Sequence, residues 1–321
     1  MKQRSVLVIG LGKIGFGYDE NENSNRKIQS HCNAFYYHKK FKLIGGIDNN
    51  NIKRKKFFRK YNLPSFDTII SASKSINPEI AVISTPPKSR LRVIQQVIKY
   101  LKVKIIIIEK PVALKMNDVI KIRNLLGKHK IRAFVNYFRR SCPGINILKK
   151  RKKNNLSRIK THGIAWYSKG LLNSGSHIIN TLEYILGDVK KIKKFYVNNS
   201  DFNNDKDACF ILFFKNSEIL FTPNKKNGVF NNSVEILSKK EKIIFENGMR
   251  DIKTYNIIDD DLYNSYKIIS PDYKKIKTNY SLMQFYFTDN LSRKIDSKFA
   301  NICDLSDAIK THKIIQQIIN N

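Results

Sequence analysis

The sequence predicts an α/β chain. An N-terminal doubly wound parallel sheet precedes an α+β domain with an open, largely antiparallel sheet. Three observations predict it. An apolar run at 5–9 ends in Gly10-Leu11-Gly12-Lys13-Ile14-Gly15, a Gly-x-Gly-x-x-Gly turn directly after a strand. Continuous apolar runs then alternate with amphipathic segments as far as Tyr137, the pattern of right-handed βαβ crossovers. Beyond Tyr137 strand-like runs follow one another closely, and Asn247-Gly248 marks a turn among them.

In the first strand, 5–10, each glycine has a task. Gly10 allows the tight turn, Gly12 lets the backbone approach a pyrophosphate, and Gly15 lets a helix pack close to the strand. Lys13 and Ile14 lie within the same phosphate turn, where helix N-terminal amides face the anion. The polar stretch 16–25 then interrupts the expected helix, which opens only from about Ser30 as N-cap. We read that stretch as a loop insertion, either a lid or a passive loop.

The second strand, 41–48, ends in Asp48, whose carboxylate suits the adenosine ribose hydroxyls and repels a 2′-phosphate. Lys53, Arg54 and Lys55 follow closely, so NAD is expected and NADP stays open. A helix is expected at 52–61, a buried strand at 80–83 running into Thr85-Pro86-Pro87, and an amphipathic helix at 91–101. The strand 104–108 is closed by Glu109-Lys110-Pro111, and a helix at 117–126 leads into the strand 132–136. Ligands of such sheets bind beyond the carboxyl ends of the strands, where Gly12, Asp48, Thr85, Lys110 and Asn136 fall; Thr85 and Pro86 would meet a cofactor through their backbone. Further strands are expected at 195–197, 209–214, 218–221, 234–237 and 242–245, and a terminal helix at 304–319.

Composition narrows the function classes. The formal net charge is +34, yet lysine is spread along the chain together with isoleucine and asparagine, and no nucleic-acid recognition module is present. The densest basic run, 149–153, reads as a solvated helix end or loop. We therefore expect no nucleic-acid partner, although the positive surface would attract an anionic small substrate. Cys32, Cys142, Cys209 and Cys303 are scattered without metal spacing, so no metal site is expected and the thiols suit a reducing compartment, the cytoplasm. Neither a membrane span nor a signal peptide is read.

A second chemical cluster lies in Gly170-Leu171-Leu172-Asn173-Ser174-Gly175-Ser176-His177. On a helix Asn173 and His177 share a face, and a histidine with a polar partner one turn earlier suits proton transfer with a hydroxyl. Arg139 and Arg140 follow a strand end, and each reads equally as a fork for an anionic substrate or as a surface ion pair.

Gly10-Leu11-Gly12-Lys13-Ile14-Gly15, His31-Cys32-Asn33-Ala34, Thr85-Pro86-Pro87, Glu109-Lys110-Pro111, Asn136-Tyr137-Phe138-Arg139-Arg140 and Asn173-Ser174-Gly175-Ser176-His177 occur in the order of one known family. With the terminal helix they span nearly the whole chain, which resembles the glucose–fructose oxidoreductase / inositol dehydrogenase (Gfo/Idh/MocA) family. The resemblance implies a Rossmann domain at 1–137 and a substrate and oligomerisation domain at 138–321. It implies NAD(P)-dependent oxidation or reduction of a sugar, polyol or nucleotide-linked sugar, with likeness to members in bacterial surface-polysaccharide synthesis. It places Lys110 and Glu109 at the nicotinamide, gives Lys110 and His177 the catalytic roles, and implies a homodimer or homotetramer. The family's usual Asp four residues before the histidine is Asn173 here, which can hydrogen-bond a hydroxyl but cannot take its proton. Oxidising an alcohol needs a base near the O–H and a cation for the developing alkoxide, so His177 and Lys110 would serve from the two domains. A regulatory cofactor-binding protein without turnover, and a redox-neutral NAD-dependent sugar enzyme, stay open as alternatives.

Overall fold

The computed structural model describes residues 3–151, 155–202, 204–224 and 229–320. The chain forms two compact units, Met1–Ser141 with Ser281–Ile309, and Cys142–Tyr280 with Lys310–Asn321. The sequence reading divides the chain at 137/138; in these units the N-terminal part runs to Ser141 and is joined by the 281–309 segment.

In the first unit β1 (Arg4–Ile9), α1 (His31–Tyr37), β2 (Phe41–Ile47), α2 (Asn51–Tyr61), β3 (Ser65–Phe66), α3 (Ile69–Ser73), β4 (Ile80–Ile83), α4 (Arg90–Tyr100), β5 (Ile105–Ile108), α5 (Met116–Lys128) and β6 (Arg132–Val135) alternate along the chain. The strands pair in parallel in the order β3-β2-β1-β4-β5-β6. The order reverses between β1 and β4, the switch point at which doubly wound sheets open a crevice for a ligand.

The second unit holds α6 (Pro143–Lys150), β7 (Thr161–Tyr167), α7 (Ser176–Leu186), β8 (Lys191–Asn199), β9 (Lys206–Phe213), β10 (Ser217–Pro223), β11 (Ser233–Ser238), β12 (Glu241–Glu246), β13 (Asp251–Asp259) and β14 (Lys267–Ile276). Its eight strands run β14-β13-β12-β11-β7-β10-β9-β8, antiparallel except for the β7/β10 pair. The chain ends with α8 (Met283–Ile295), which belongs to the first unit, and α9 (Leu305–Asn320), which begins there.

Alternation along the strands supplies both faces of the parallel sheet. Val6, Val8, Ile105 and Ile107 pack with Phe35, Phe57 and Phe287 from α1, α2 and α8. Leu7, Ile9, Ile106 and Ile108 pack with Ile94, Val97, Val119 and Ile122 from α4 and α5. Burial on both faces is why these strands read as unbroken apolar runs.

The insertion after the glycine turn interrupts a helix rather than delaying one. Phe16 N and Gly17 N donate to Gly12 O, and Tyr18 N to Lys13 O, so a helical turn forms at once. His31 N and Cys32 N then donate to Ile14 O and Gly15 O at 2.9 Å each. Helix α1 therefore resumes on the carbonyls of that turn, with Ser30 as N-cap accepting from Asn33 N. The intervening loop is tied down from within. Asp19 is fully buried, and its Oδ2 accepts from Gln29 N (2.9 Å) and Ser30 N (2.6 Å). The Lys60 ammonium donates to the carbonyls of Asp19, Glu20 and Glu22.

Of the basic run 149–153, Lys149 lies over the Tyr184 ring and Arg151 pairs with Glu241 at 2.8 Å. Lys152 and Lys153 lie outside the described residues. Among the described residues no helix is long and apolar enough to cross a membrane, and no cluster of His, Cys, Asp and Glu could hold a metal ion.

Candidate active site

A cavity of about 920 Å³ opens at the switch point of the parallel sheet. Gly10, Gly12, Asp48, Thr85 and Pro86 line it together, at the carboxyl ends of β1, β2 and β4. Gly10 has φ +97°, and a Cβ there would meet the Ser84 backbone at 2.9 Å. At Gly15 a Cβ would meet Gly10 O at 2.0 Å, so the turn closes on itself there. At Gly12 a Cβ would meet nothing within 4 Å. That open space over a turn backbone is what a pyrophosphate requires, and the Thr85 hydroxyl beside it is buried without a hydrogen-bond partner. Lys13 and Ile14 belong to the turn itself, and Ile14 O caps α1.

Asp48 is nearly buried and holds the turn against β2. Its Oδ2 accepts from Leu11 N at 2.8 Å and its Oδ1 from Asn50 N at 2.9 Å. Lys53 approaches the same carboxylate at 3.4 Å. The residues present therefore suit an adenosine ribose at Asp48 and a dinucleotide pyrophosphate at Gly12.

Beyond the cavity lies a buried polar network that the sequence reading did not foresee. Glu109 Oε1 accepts from His31 Nε2 (2.7 Å) and Asn136 Nδ2 (2.5 Å). Gln284 Nε2 donates to His31 Nδ1 at 2.8 Å, which leaves the ring proton on Nε2 facing the carboxylate, and Asn136 Nδ2 also donates to Gln284 Oε1 at 3.1 Å. All four side chains are buried. Burial pushes the Glu109 carboxyl up, but the hydrogen bond from His31, then that from Asn136 and the Arg90 charge, outweigh it and hold the carboxyl below its ordinary value. Arg90, also buried, donates through Nε to Thr85 O at 2.9 Å and through Nη1 to Glu109 O and Pro111 O. Burial lowers its pKa to about 10. Lys110 lies between those two carbonyls, half-buried, and its peptide bond to Pro111 is cis.

The remaining expected residues divide. Arg140 is buried and ion-paired to Asp307 at 2.6 Å, whereas Arg139 lies over the Phe138 ring at 5.1 Å. In the second unit His177 occupies the first turn of α7 and is buried. Asn173 precedes that helix, in a wider π-type turn at Leu171–Gly175, so the two residues lie on successive helical segments and not on one α-helix. The turn is capped by Asp205, whose carboxylate accepts from Leu172 N (3.1 Å) and Asn173 N (2.8 Å). The Asn173 side chain donates to Lys169 O at 3.2 Å.

Sequence reasoning missed Arg90, Gln284 and Asp205. A signal for Gln284 existed, since it lies on the buried stripe of α8 with Met283, Phe287 and Leu291.

Comparison with known proteins agrees with the geometry. The structure of the WlbA dehydrogenase from Bordetella pertussis, in complex with NADH and UDP-GlcNAcA, is 14% identical, with 99% of this chain and 95% of that one covered at a TM-score of 0.73. The UDP-N-acetylglucosamine 3-dehydrogenase GnnA from Acidithiobacillus ferrooxidans is 12% identical over 99% and 97%, with a TM-score of 0.71. A super-repressor mutant of Gal80p from Saccharomyces cerevisiae is 13% identical over 99% and 96%, with a TM-score of 0.74. No curated protein sequence matches the chain. Residues 4–137 match the Gfo/Idh/MocA family model, described as an oxidoreductase family with an NAD-binding Rossmann fold. With their glycine turn, Asp48 and parallel sheet, residues 4–137 are thus similar to the NAD-binding Rossmann domain of that oxidoreductase family.

Proposed function

We propose that the protein is an NAD-dependent oxidoreductase acting on a hydroxyl, or the matching ketone, of a sugar, polyol or nucleotide-linked sugar. The observation that carries this reading is the cavity over Gly12 and Asp48, linked through Arg90 to the peptide units that flank Lys110. The enzymes WlbA and GnnA, whose structures resemble this one, support a nucleotide-linked sugar as the first substrate class to test.

Bound NAD would supply the hydride acceptor; the remaining tasks fall to this chain. The Lys110 ammonium favours the alkoxide that develops as the hydroxyl loses its proton, and the His177 imidazole takes that proton. Asn173 contributes a hydrogen bond to substrate and no proton transfer. Arg139 and Arg140 are the candidates for an anionic substrate group, and Arg140 is also paired to Asp307. Asp48 favours NAD over NADP through repulsion of a 2′-phosphate.

The test uses purified protein with NAD+ and, in turn, UDP-GlcNAcA, UDP-N-acetylglucosamine and a panel of free sugars and polyols. We expect NADH formation with at least one of them. Lys110→Met and His177→Ala should each lower kcat by about 10²-fold or more while NADH binding stays within about threefold. Wild-type turnover in both variants would refute the site. A second reading, a cofactor-dependent regulator, is favoured by the Gal80p likeness and by Asn173. It predicts NADH binding with no turnover across the panel.

A further inference from the structure

We propose that Arg90 is a positioning residue that fixes the reactive ammonium of Lys110 by holding the peptide units on both sides of it. The proposal rests on the oxidoreductase reading above and deepens it. Arg90 lies at the start of α4, and its guanidinium points back across the sheet ends. Nε takes Thr85 O, on the cofactor side, and Nη1 takes both Glu109 O and Pro111 O. These two carbonyls immediately precede and follow Lys110. The planar fork thus ties the β4 loop, which lines the cavity, to the β5 loop, which carries the lysine.

The second anchor is the Glu109 side chain. It is held from below by His31 and Asn136, and Gln284 in turn engages both of those residues. The residue before Lys110 is therefore fixed through its carbonyl and its carboxylate, and the residue after it through its carbonyl. Lys110 is thus held at its backbone from both sides. A lysine used for catalysis gains from this arrangement, because a fixed backbone sets the point from which its four-carbon stem reaches the reacting hydroxyl. A displacement of about 1 Å at a reacting group can cost about 10²-fold in rate.

An arginine fork suits the task. A lysine at position 90 also has three N–H donors, but they sit on one rotatable ammonium and not on a planar fork, so it would hold these carbonyls less rigidly. A methionine leaves all three carbonyls, that of Glu109 buried, to find other partners.

The experiment compares Arg90→Lys, Arg90→Met and Lys110→Met with the double variants that combine each Arg90 change with Lys110→Met. Turnover is measured with NAD+ and UDP-GlcNAcA or UDP-N-acetylglucosamine, and cofactor affinity by NADH fluorescence. Thermal unfolding selects variants that are folded at the assay temperature. Arg90→Met should lower kcat by about 10²-fold and Arg90→Lys by about tenfold, with NADH affinity within about threefold of wild type. In the Lys110→Met background either change should cost nothing further, because an effect transmitted through Lys110 disappears when Lys110 is absent. A further loss in the double variants, or a fall in NADH affinity that matches the fall in kcat, would overturn the proposal.

Competitive acetylation with acetic anhydride, read by peptide mass spectrometry, follows the lysine without any substrate. Arg90→Lys and Arg90→Met should change the reactivity of Lys110 or its protection by NADH at least about threefold, while exposed lysines such as Lys55 react as before. An unchanged Lys110 would refute the positioning role whatever the turnover. Failure of the functional reading looks different: wild-type protein with no turnover on any substrate, yet Lys110 reactivity that depends on Arg90.

Discussion

Two glycines of one turn should respond in opposite ways to the same methyl group. At Gly15 a Cβ would lie 2.0 Å from Gly10 O, a backbone atom within the same closed turn. Ordinary van der Waals contact needs more than 3.4 Å, so the turn must open by well over 1 Å. Overpacking of this kind costs about 1–3 kcal/mol. Per kcal/mol, Tm falls by roughly 2–4 °C for a unit of this size, so Gly15→Ala should melt about 2–12 °C below wild type. At Gly12 the same atom meets nothing within 4 Å, and the residue's φ is not in the left-handed region. Gly12→Ala should therefore be as stable as wild type, or more stable by about 0.4–1 kcal/mol through a less flexible unfolded chain. Its methyl instead occupies the space assigned to the pyrophosphate, and NADH should bind at least about tenfold more weakly, a loss of about 1.4 kcal/mol. Thermal unfolding without cofactor and NADH fluorescence titration read the two effects separately. Undiminished NADH affinity in Gly12→Ala would remove the pyrophosphate from this turn. A Gly15→Ala protein as stable as wild type would refute the packing argument.

Two further outcomes concern stability. Burial lowers the His312 pKa from 6.5 to about 4, so the unfolded chain binds the proton that the folded one rejects. Stability from this residue should be complete above about pH 6.5 and decline as pH falls toward 4, by up to about 3 kcal/mol; His312→Leu should flatten that part of a chemical-denaturation profile, and an unchanged slope would refute it. Asp19→Ala removes the acceptor for Gln29 N and Ser30 N. It should destabilise the first unit by about 1–3 kcal/mol and make the loop at 20–29 more sensitive to limited proteolysis than in wild type; equal cleavage rates would show that the loop is held by other means.

The strands of the parallel sheet were legible because burial on both faces demands unbroken apolar runs, and Ile105–Ile108 leaves no other reading. Helices α2, α4 and α5 came within two residues of their expected ends because each carries one apolar stripe. Strand β14 was not legible. Most of its residues are exposed, so no alternation marks it, and only pairing with β13 defines it. Helix α7 shows the opposite failure. Ten of its eleven residues are buried, polar and apolar alike, and no periodic face separates them. The π-type turn before it follows from Asp205, thirty-two residues further on, whose carboxylate accepts from the amides at 172 and 173. No local pattern at Asn173 could announce that partner.

The candidate site divides along the same physical line. That Gly10, Gly12, Asp48 and Thr85 meet at one cavity was legible, because strand ends and glycine spacing fix where the crevice of a doubly wound sheet opens. What holds the lysine is not written in spacing. His31, Arg90, Glu109, Asn136 and Gln284 are five polar residues from five places in the chain, and each looks ordinary alone. Buried together they are costly unless every member finds partners, and removal of one leaves the others uncompensated. That cost gives the return of the 281–309 segment to the first unit a chemical purpose besides the packing of Phe287 and Leu291. Without the Gln284 amide, His31 Nδ1 and Asn136 Nδ2 would each lose a partner, and the Glu109 carboxylate alone would hold the His31 proton on Nε2. A segment near the end of the sequence thereby completes the polar network around a histidine near its beginning, and that histidine anchors the residue next to Lys110.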